Sequence, residues 1–186
     1  MNLLETRGPQ HVGPWTVTQV IESEVEAYPY HFLFPGASLE EVIQASPSGA
    51  HRRLSDSGNV IMSMQFFVLR RDGLVILVEQ GSGNDKTRPA EPYWDHQNLP
   101  YLPTLASLGI QPEDVSYVAF THLHVDHVGL ATTLRDGRWV PTFPNAKYLV
   151  HPEEWNVYGS LACTDPHWHP CIDDSARPLV EANAVQ

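Results

Sequence analysis

The 186-residue sequence has few basic side chains, few cysteines and no long apolar run. Lysine and arginine number 11 against 22 aspartates and glutamates, so the net charge is -11. Such a charge repels polyanions, and we therefore expect neither nucleic acid nor an anionic membrane as a partner. Two cysteines are too few for a disulfide framework. No segment reaches the roughly 18 apolar residues that a membrane-spanning helix needs.

The N-terminal residues MNLLETR lack the apolar segment of a secretion signal, which predicts a cytoplasmic protein. The hydrophobic fraction of 42% and the charged fraction of 18% are typical of a globular chain. The length corresponds to about one domain. The sequence therefore predicts a single domain over residues 1–186.

Apolar periodicity predicts a mixture of strands and helices. Two β-rich runs, 60–69 and 74–79, flank Asp72-Gly73, a strong signal for a hairpin. Further strands are predicted at 15–21, 115–120 and 146–150, and helices at 39–45, 98–108, 128–134, from Pro152 onward and 173–184. This mixture predicts an α/β or α+β protein in which sheet and helices form layers.

Histidine is unusually frequent, with ten residues in the chain and three of them between positions 122 and 127. His122, His124 and Asp126 occupy alternate positions directly after a predicted strand, with apolar residues between them. Alternate residues of an extended segment face the same side. His127 follows where a helix is predicted to begin, and it can reach the same space. The segment therefore predicts four converging metal ligands.

Imidazole and carboxylate groups suit zinc, iron or manganese. Four such ligands could hold two metal ions, which together can generate hydroxide at neutral pH and stabilise the attacking and leaving oxygens. The alternative interpretation is a polar loop whose histidines occur together by chance. The alternation of ligand-type and apolar residues favours the metal site.

The segment HLHVDH at residues 122–127 resembles the H-x-H-x-D-H motif of the metallo-β-lactamase superfamily. Residues 81–89 (GSGNDKTRP), 93–129 and 136–150 (DGRWVPTFPNAKYLV) resemble its quorum-quenching lactonase and methyl-parathion-hydrolase-like branch. The resemblance implies an αββα sandwich. It also implies a hydrolase in which a metal-bound hydroxide attacks a lactone, ester or phosphoester bond of a small-molecule substrate.

The resemblance implies roles for individual residues. His122 and His124 match ligands of the first metal, and Asp126 and His127 match ligands of the second. Asp126 could also orient the hydroxide or receive its proton, which makes it the candidate catalytic residue. Two zinc ions are implied in the complete site, although iron, manganese or cobalt would suit the same ligands.

Two features depart from the family pattern. Glu79 ends the strand before the glycine-rich turn, where the family usually has an aspartate that supports the metal ligands. The Gly-His segment that supplies a ligand in the second half of the family domain is absent, since no Gly-His dipeptide occurs. The sequence is therefore interpreted as the N-terminal half of the sandwich.

Two alternatives to the hydrolase stay open at this point. The chain could be a non-catalytic remnant that binds metal weakly and associates with another chain, including a second copy, through an uncovered sheet face. It could also perform redox chemistry at iron, as other members of the superfamily do.

Less specific patterns give further candidates. Asp95 and His96 are candidates for supporting the metal ligands, with a loop cap as the alternative. Phe32, Phe34 and Trp94 are candidates for an apolar substrate pocket, with core packing as the alternative.

A second cluster has the pattern C-x3-H-x-H-x-C and consists of Cys163, His167, His169 and Cys171. Cysteine and histidine bind zinc well, so a second metal site is one interpretation. A stiff surface loop is the other, because prolines flank the central residues and the spacing matches no zinc module.

Overall fold

A six-stranded mixed sheet is the largest element of the structure, a computed structural model that describes residues 2–45, 53–159 and 169–186. Its strand order is β1-β2-β3-β4-β5-β8, and β6 and β7 form a separate two-stranded sheet. The strands are β1 Glu5–Val12, β2 Trp15–Pro29, β3 Asn59–Arg71, β4 Leu74–Val78, β5 Tyr117–Ala119, β6 Thr132–Arg135, β7 Arg138–Pro141 and β8 Lys147–Leu149.

The helices are short. In chain order they are α1 Tyr30–Leu33, α2 Leu39–Ala45, α3 Tyr101–Ser107, α4 Val125–Val128, α5 Pro152–Glu154, α6 His169–Cys171 and α7 Arg177–Glu181. Pro112–Asp114 and Gly129–Ala131 form 3-10 turns, and Trp155–Gly159 and Ile172–Ala176 have π-helical geometry. Within the described ranges, no helix is long and apolar enough to cross a membrane. The predicted mixed α/β class is confirmed.

The chain divides into two compact units: a large unit of residues 1–22 and 65–186, and a small unit of residues 23–64. In the small unit, Tyr28 stacks on Phe32 with ring centroids 5.0 Å apart. Glu24 forms an ion pair with Arg53 at 2.6 Å. The small unit therefore has its own local packing.

The hairpin predicted at 60–79 is confirmed, with β3 and β4 antiparallel and Leu69 opposite Ile76. β4, β5 and β8 are parallel to one another. Along β3 and β4, the buried residues Phe66, Val68, Val75 and Leu77 alternate with the half-buried residues Phe67, Leu69, Ile76 and Val78. One face of the sheet therefore carries the main core, and the other face is partly exposed.

The main core of the large unit packs this buried face against α3 and the last helix, through residues such as Tyr101, Leu105 and Leu179. A second core cluster consists of Leu123, Val125, Val128, Cys171, Ile172 and Ala176. This second cluster lies beneath the histidine segment, because it contains the apolar residues that alternate with the histidines. The prediction that Leu123 and Val125 pack into the core is confirmed.

The helix predicted at 128–134 is wrong. A single 3-10 turn covers Gly129–Ala131, and the chain then enters β6, which pairs with β7. The cause is the Asp136-Gly137 turn, in which both residues have positive φ, 50° and 75°. Such a turn matches the twist of a two-stranded hairpin, and the β-branched Thr132 and Thr133 favour the strand.

Candidate metal centre

The histidine segment begins at the carboxyl edge of the parallel strands. The backbone N–H of Glu79, directly after β4, donates to the carbonyl of Ala119 at the end of β5 at 3.0 Å. The N–H of Gln80 then donates to the carbonyl of His127 at 2.9 Å. Residues 79 and 80, directly after β4, therefore contact both the end of β5 before the segment and the last residue of the segment.

The four predicted ligand side chains lie together. The ring centroid of His122 is 4.3 Å from that of His124 and 4.0 Å from that of His127. Nε2 of His127 is 3.2 Å from a carboxylate oxygen of Asp126. All four side chains are half-buried, so they are accessible from one side and supported from the other.

The backbone of the segment differs from the extended conformation that its alternation predicts. His124 is extended, with φ -75° and ψ 162°, and caps α4, which starts at Val125. Asp126 and His127 therefore lie on the first helical turn. Their side chains reach the histidine pair because the chain turns at His124. The prediction that His122, His124 and Asp126 share one strand face is therefore wrong for Asp126, and the predicted start of a helix at His127 is close to the observed one.

Glu79 lies directly behind His127. Its Oε2 is 2.6 Å from Nδ1 of His127, and its Oε1 accepts the N–H of Thr121 at 3.0 Å. Thr121 in turn places its hydroxyl 2.9 Å from Nδ1 of His122. A carboxylate on the far nitrogen of a histidine fixes the ring and leaves the other nitrogen for a metal. Glu79 thus contacts one predicted ligand directly and a second through Thr121, and its role in supporting a bound metal stays a prediction.

The electrostatics of the cluster favour metal-binding protonation states at three of the four predicted ligands, His122, His124 and Asp126. Burial lowers the pKa of His122 and of His124, and the charge of neighbouring imidazoles lowers it further, so both rings are neutral at pH 7. Burial raises the pKa of Asp126, but its hydrogen bond with His127 and its electrostatic interactions with His127 and His122 together outweigh burial, and the net shift is downward. Neutral imidazole and ionised carboxylate are the forms that bind a metal.

His127 and Glu79 form a charged pair in the metal-free protein. Burial lowers the pKa of His127, but hydrogen bonds to Asp126 and Glu79 outweigh it and raise the pKa to about 9. Burial raises the pKa of Glu79, yet the hydrogen bonds from His127 and Thr121 produce a net decrease. Metal binding at His127 must therefore release a proton from Nε2.

The donor set suits a divalent metal in its chemistry. Three imidazoles and a carboxylate are common zinc ligands, and structural or catalytic zinc normally takes three or four protein ligands. Across residues 2–45, 53–159 and 169–186, however, no three His, Cys, Asp or Glu side chains are already arranged around one metal position. The predicted ligands are thus gathered in one place, and their assignment to a metal stays a prediction.

The turn at residues 81–83 contacts the chain directly after the histidine segment. Gly129 N–H donates to the carbonyl of Gly81 at 2.8 Å, and Leu130 N–H donates to the carbonyl of Gln80 at 2.9 Å. A Cβ on Gly129 would overlap the backbone of Ser82, and one on Gly83 would overlap the backbone of Gly129. Glycine is required at both positions because the two backbones touch.

Sequence reasoning missed Glu22, which lies behind this turn. Its carboxylate is buried and accepts hydrogen bonds from the N–H and hydroxyl of Ser82 and from the hydroxyl of Tyr101. Burial raises the pKa of Glu22, although these hydrogen bonds oppose the shift. No local signal could have identified it, because Glu22 and Ser82 are 60 positions apart in sequence.

The remaining candidates lie elsewhere. Asp95 accepts the backbone N–H of Arg88 at 2.6 Å, and His96 is 63% exposed at its side chain with a φ of 48°. These contacts favour the interpretation of Asp95 and His96 as loop-capping residues over the interpretation that they orient the metal ligands. Trp94 packs against the second core cluster, which supports the core-packing interpretation. Phe32 and Phe34 lie in the small unit, 65% and 48% exposed.

The second cysteine–histidine cluster falls mostly outside the described residues, which include neither Cys163 nor His167 nor the side chain of His169. Cys171 is buried and donates its thiol hydrogen to the carbonyl of Leu123 at 3.3 Å. Its observed contact is therefore with the backbone of the histidine segment.

Sequence reasoning also missed a buried ionic cluster in the large unit. Arg88 forms two hydrogen bonds with the carboxylate of Asp174, at 2.6 and 2.9 Å. Nζ of Lys86 donates to Thr132 at 2.6 Å and to the carbonyl of Asp174 at 3.0 Å, and it lies 3.6 Å from the centroid of the Trp139 ring. These contacts tie the loop after β4 to the C-terminal helices that cover the second core cluster.

The chain is similar to known proteins over much of its length. The sequence model of the Metallo-beta-lactamase superfamily matches residues 65–177. The N-acyl homoserine lactonase AttM of Rhizobium radiobacter is 27% identical over 100 residues, which cover 48% of this chain and 35% of that protein.

Two solved structures are similar in fold. A probable metal-dependent hydrolase from Staphylococcus aureus superposes with a TM-score of 0.67 and 16% identity, over 91% of this chain and 59% of its own. AidC, described as a dizinc quorum-quenching lactonase, superposes with a TM-score of 0.57 and 14% identity, over 86% of this chain and 48% of its own. The chain thus spans about a third to three fifths of the length of these relatives.

Proposed function

Because this chain belongs to the metallo-beta-lactamase superfamily, we propose that it supplies the histidine-rich part of a metal-dependent hydrolase. The proposed substrates contain a lactone, ester or phosphoester bond, and the proposed metal is zinc. The observation that carries the proposal is the gathering of His122, His124, Asp126 and His127 at the carboxyl edge of the parallel strands, with Glu79 against His127.

A pair of divalent metals supplies a nucleophile from water at neutral pH and polarises the bond to be cleaved. The residues of this chain have distinct roles around that chemistry. His122 and His124, both neutral, hold one metal through their ring nitrogens, and Asp126 and His127 hold the other. The ionised carboxylate of Asp126 is also the group that orients the attacking water and accepts its proton. Glu79 keeps the ring of His127 in its binding orientation.

Elemental analysis of the purified 186-residue protein tests the metal assignment. We expect zinc to copurify with the wild-type chain and to be lost from the His122→Ala/His124→Ala double variant. The His11→Ala variant is the matched control, since His11 is exposed on β1 and lies outside the cluster. Equal zinc in the double variant and the wild type would refute the metal assignment.

Hydrolysis assays test the catalytic assignment. In the intact protein, His124→Ala and Asp126→Ala should each abolish turnover of an N-acyl homoserine lactone, a p-nitrophenyl ester or a phosphotriester, while His11→Ala should retain it. Retained turnover in both cluster variants would show that the reaction occurs elsewhere.

A second candidate function is that of a metal-binding remnant that associates with another chain. The observation that favours it is the partly exposed sheet face, which carries the apolar side chains of Phe67, Leu69, Ile76 and Val78. Exposed apolar surfaces of this kind are sites of association. Light scattering distinguishes the candidates: a homo-oligomer that dissociates on Phe67→Lys supports association, and a monomer without zinc or turnover contradicts both candidates.

A further inference from the structure

In the part of the chain that the structure describes, the buried carboxyl group of Glu22 makes no ion pair. It is 6% exposed, and its two oxygens accept hydrogen bonds from neutral groups. Oε2 accepts the N–H of Ser82 at 2.9 Å and the hydroxyl of Tyr101 at 2.6 Å, and Oε1 accepts the hydroxyl of Ser82. A buried polar group is costly unless it is hydrogen-bonded, and these three hydrogen bonds meet that requirement for the Glu22 carboxyl group.

All of these contacts converge on one turn, Gly81-Ser82-Gly83. The Glu22 carboxylate fills the space beside Gly81, where a Cβ would overlap it. The hydroxyl of Tyr101, which donates to Glu22, also accepts the N–H of Gly83 at 3.2 Å. Glu22 and Tyr101 therefore hold the turn at each of its three residues.

The other side of the same turn carries the histidine segment. Gly81 and Gln80 accept the N–H groups of Gly129 and Leu130, and Gln80 donates to the carbonyl of His127. Because the backbones of Gly83 and Gly129 touch, a shift of the turn moves α4 with it. One side of the Gly81–Gly83 turn contacts Glu22, and the other side, with Gln80, contacts the histidine segment. The turn therefore connects Glu22 to the backbone of His127, a predicted metal ligand.

We propose that Glu22 is a positioning residue for the metal centre, whose carboxylate fixes the Gly81–Gly83 turn and thereby the backbone of Asp126 and His127. The proposal rests on the proposed function for its consequence at the metal, but the positioning itself is a property of the chain alone. Glu22 is not a metal ligand in this proposal, and Ser82 and Tyr101 act with it.

Hydrogen exchange tests the positioning without any metal. Glu22→Leu removes both acceptor oxygens of the Glu22 side chain. In this variant the backbone amides of Gln80, Gly129 and Leu130 should exchange at least tenfold faster than in the wild type. The amides that pair β3 with β4 should keep their protection. Glu22→Gln retains one acceptor and should show an intermediate loss. Wild-type protection at all three amides in Glu22→Leu would overturn the proposal.

Tyr101→Phe covers the possibility that Glu22→Leu does not fold. This variant removes one donor to Glu22 and the acceptor for Gly83, and it leaves the carboxylate in place. It should also reduce protection at Gly129 and Leu130. Unchanged protection in a folded Tyr101→Phe variant would count against the proposal in the same way.

Zinc affinity, measured by competition with a chromophoric chelator, tests the consequence. Glu22→Leu should bind zinc about tenfold more weakly, at the lower end of the roughly 10–100-fold range for groups that contact a metal ligand directly, because Glu22 acts through the turn. Asp174→Asn is the matched control, since it disrupts a buried carboxylate of the same unit that does not contact the turn. It should lower stability and leave zinc affinity unchanged.

The outcomes separate the two proposals. Loss of amide protection with weaker zinc binding supports both. Loss of protection in a chain whose wild type binds no zinc supports the positioning and refutes the metal assignment. Loss of protection with unchanged zinc affinity, or equal loss of affinity in Asp174→Asn, overturns the role of Glu22 at the metal centre.

Discussion

Oε2 of Glu79 lies 2.6 Å from Nδ1 of His127, and the other nitrogen of the same ring faces Asp126 at 3.2 Å. The ring is therefore held between two carboxylates, one behind it and one beside it. This relationship determines which nitrogen is available to a metal, because a proton shared with Glu79 keeps Nδ1 occupied.

Replacement of Glu79 should weaken metal binding without removing a ligand. We expect Glu79→Gln to lower zinc affinity by about 10–100-fold, because the neutral amide no longer fixes the ring or raises its basicity. Chelator competition measures the effect. Glu153→Gln, at an exposed position on α5, is the control. Zinc affinity equal to that of the wild type in Glu79→Gln would show that the Glu79 contact does not act on the metal.

The close approach of Gly83 and Gly129 gives a stability prediction. Gly129→Ala should lower the free energy of unfolding by about 3 kcal/mol, because the new Cβ overlaps the backbone of Ser82 and neither backbone can yield without moving α4. Urea denaturation measures this loss.

Gly137→Ala is the control for backbone strain. Gly137 has a φ of 75° and no neighbour within 4 Å of a built Cβ, so its cost of about 1 kcal/mol is that of the left-handed conformation alone. Equal losses of stability in Gly129→Ala and Gly137→Ala would contradict the backbone contact.

The parts of the structure that could be predicted from the sequence are those with short-range signals. Asp72-Gly73 between two β-rich runs predicted the β3–β4 hairpin, because the turn and the alternation are encoded in adjacent residues. The alternation of Leu123 and Val125 with the histidines likewise predicted which side chains enter the core. Glu79 was identified by its position at a strand end next to the motif.

The parts that were missed depend on tertiary contacts. Glu22 pairs with Ser82, and Lys86 with Asp174, over separations of 60 and 88 positions, which leave no periodicity in the sequence. β1 was not predicted because all eight of its residues are exposed, so it has no apolar alternation. The helix predicted at 128–134 is wrong because Asp136-Gly137 forms the turn of the β6–β7 hairpin, and the pairing of these two strands is not encoded in residues 128–134 alone.

The buried ammonium of Lys86 gives a prediction about pH. Burial lowers its pKa to about 7; the negative charge of Asp174 opposes this shift, and the positive charge of Arg88 adds to it. A weaker interaction with Cys171 also opposes it. In the unfolded chain the lysine has its ordinary pKa of 10.5. Between these two values the folded protein binds fewer protons at Lys86 than the unfolded protein does.

The sign of the effect follows from this difference. Below pH 7 the ammonium is charged in both states, and its contribution to stability is constant and at its lowest. As the pH rises from about 7 toward 10.5, unfolding takes up a proton at Lys86, so the contribution of Lys86 to the free energy of unfolding increases. The stabilising contacts with Thr132 and Trp139 are compatible with a neutral amine as well as with an ammonium.

Lys86→Met removes the titrating group and keeps most of the side-chain volume. Urea denaturation from about pH 6.5 to about pH 9.5 should show the free energy of unfolding of the wild type rising relative to that of Lys86→Met as the pH increases. His127 titrates in the same window, but it does so in both proteins and cancels in the difference. Lys147→Met, at an exposed position on β8, is the control. The free energy of unfolding of the wild type relative to this variant should not change with pH. A flat or falling difference for Lys86→Met would show that the ammonium stays charged in the core, with Asp174 as its counter-ion.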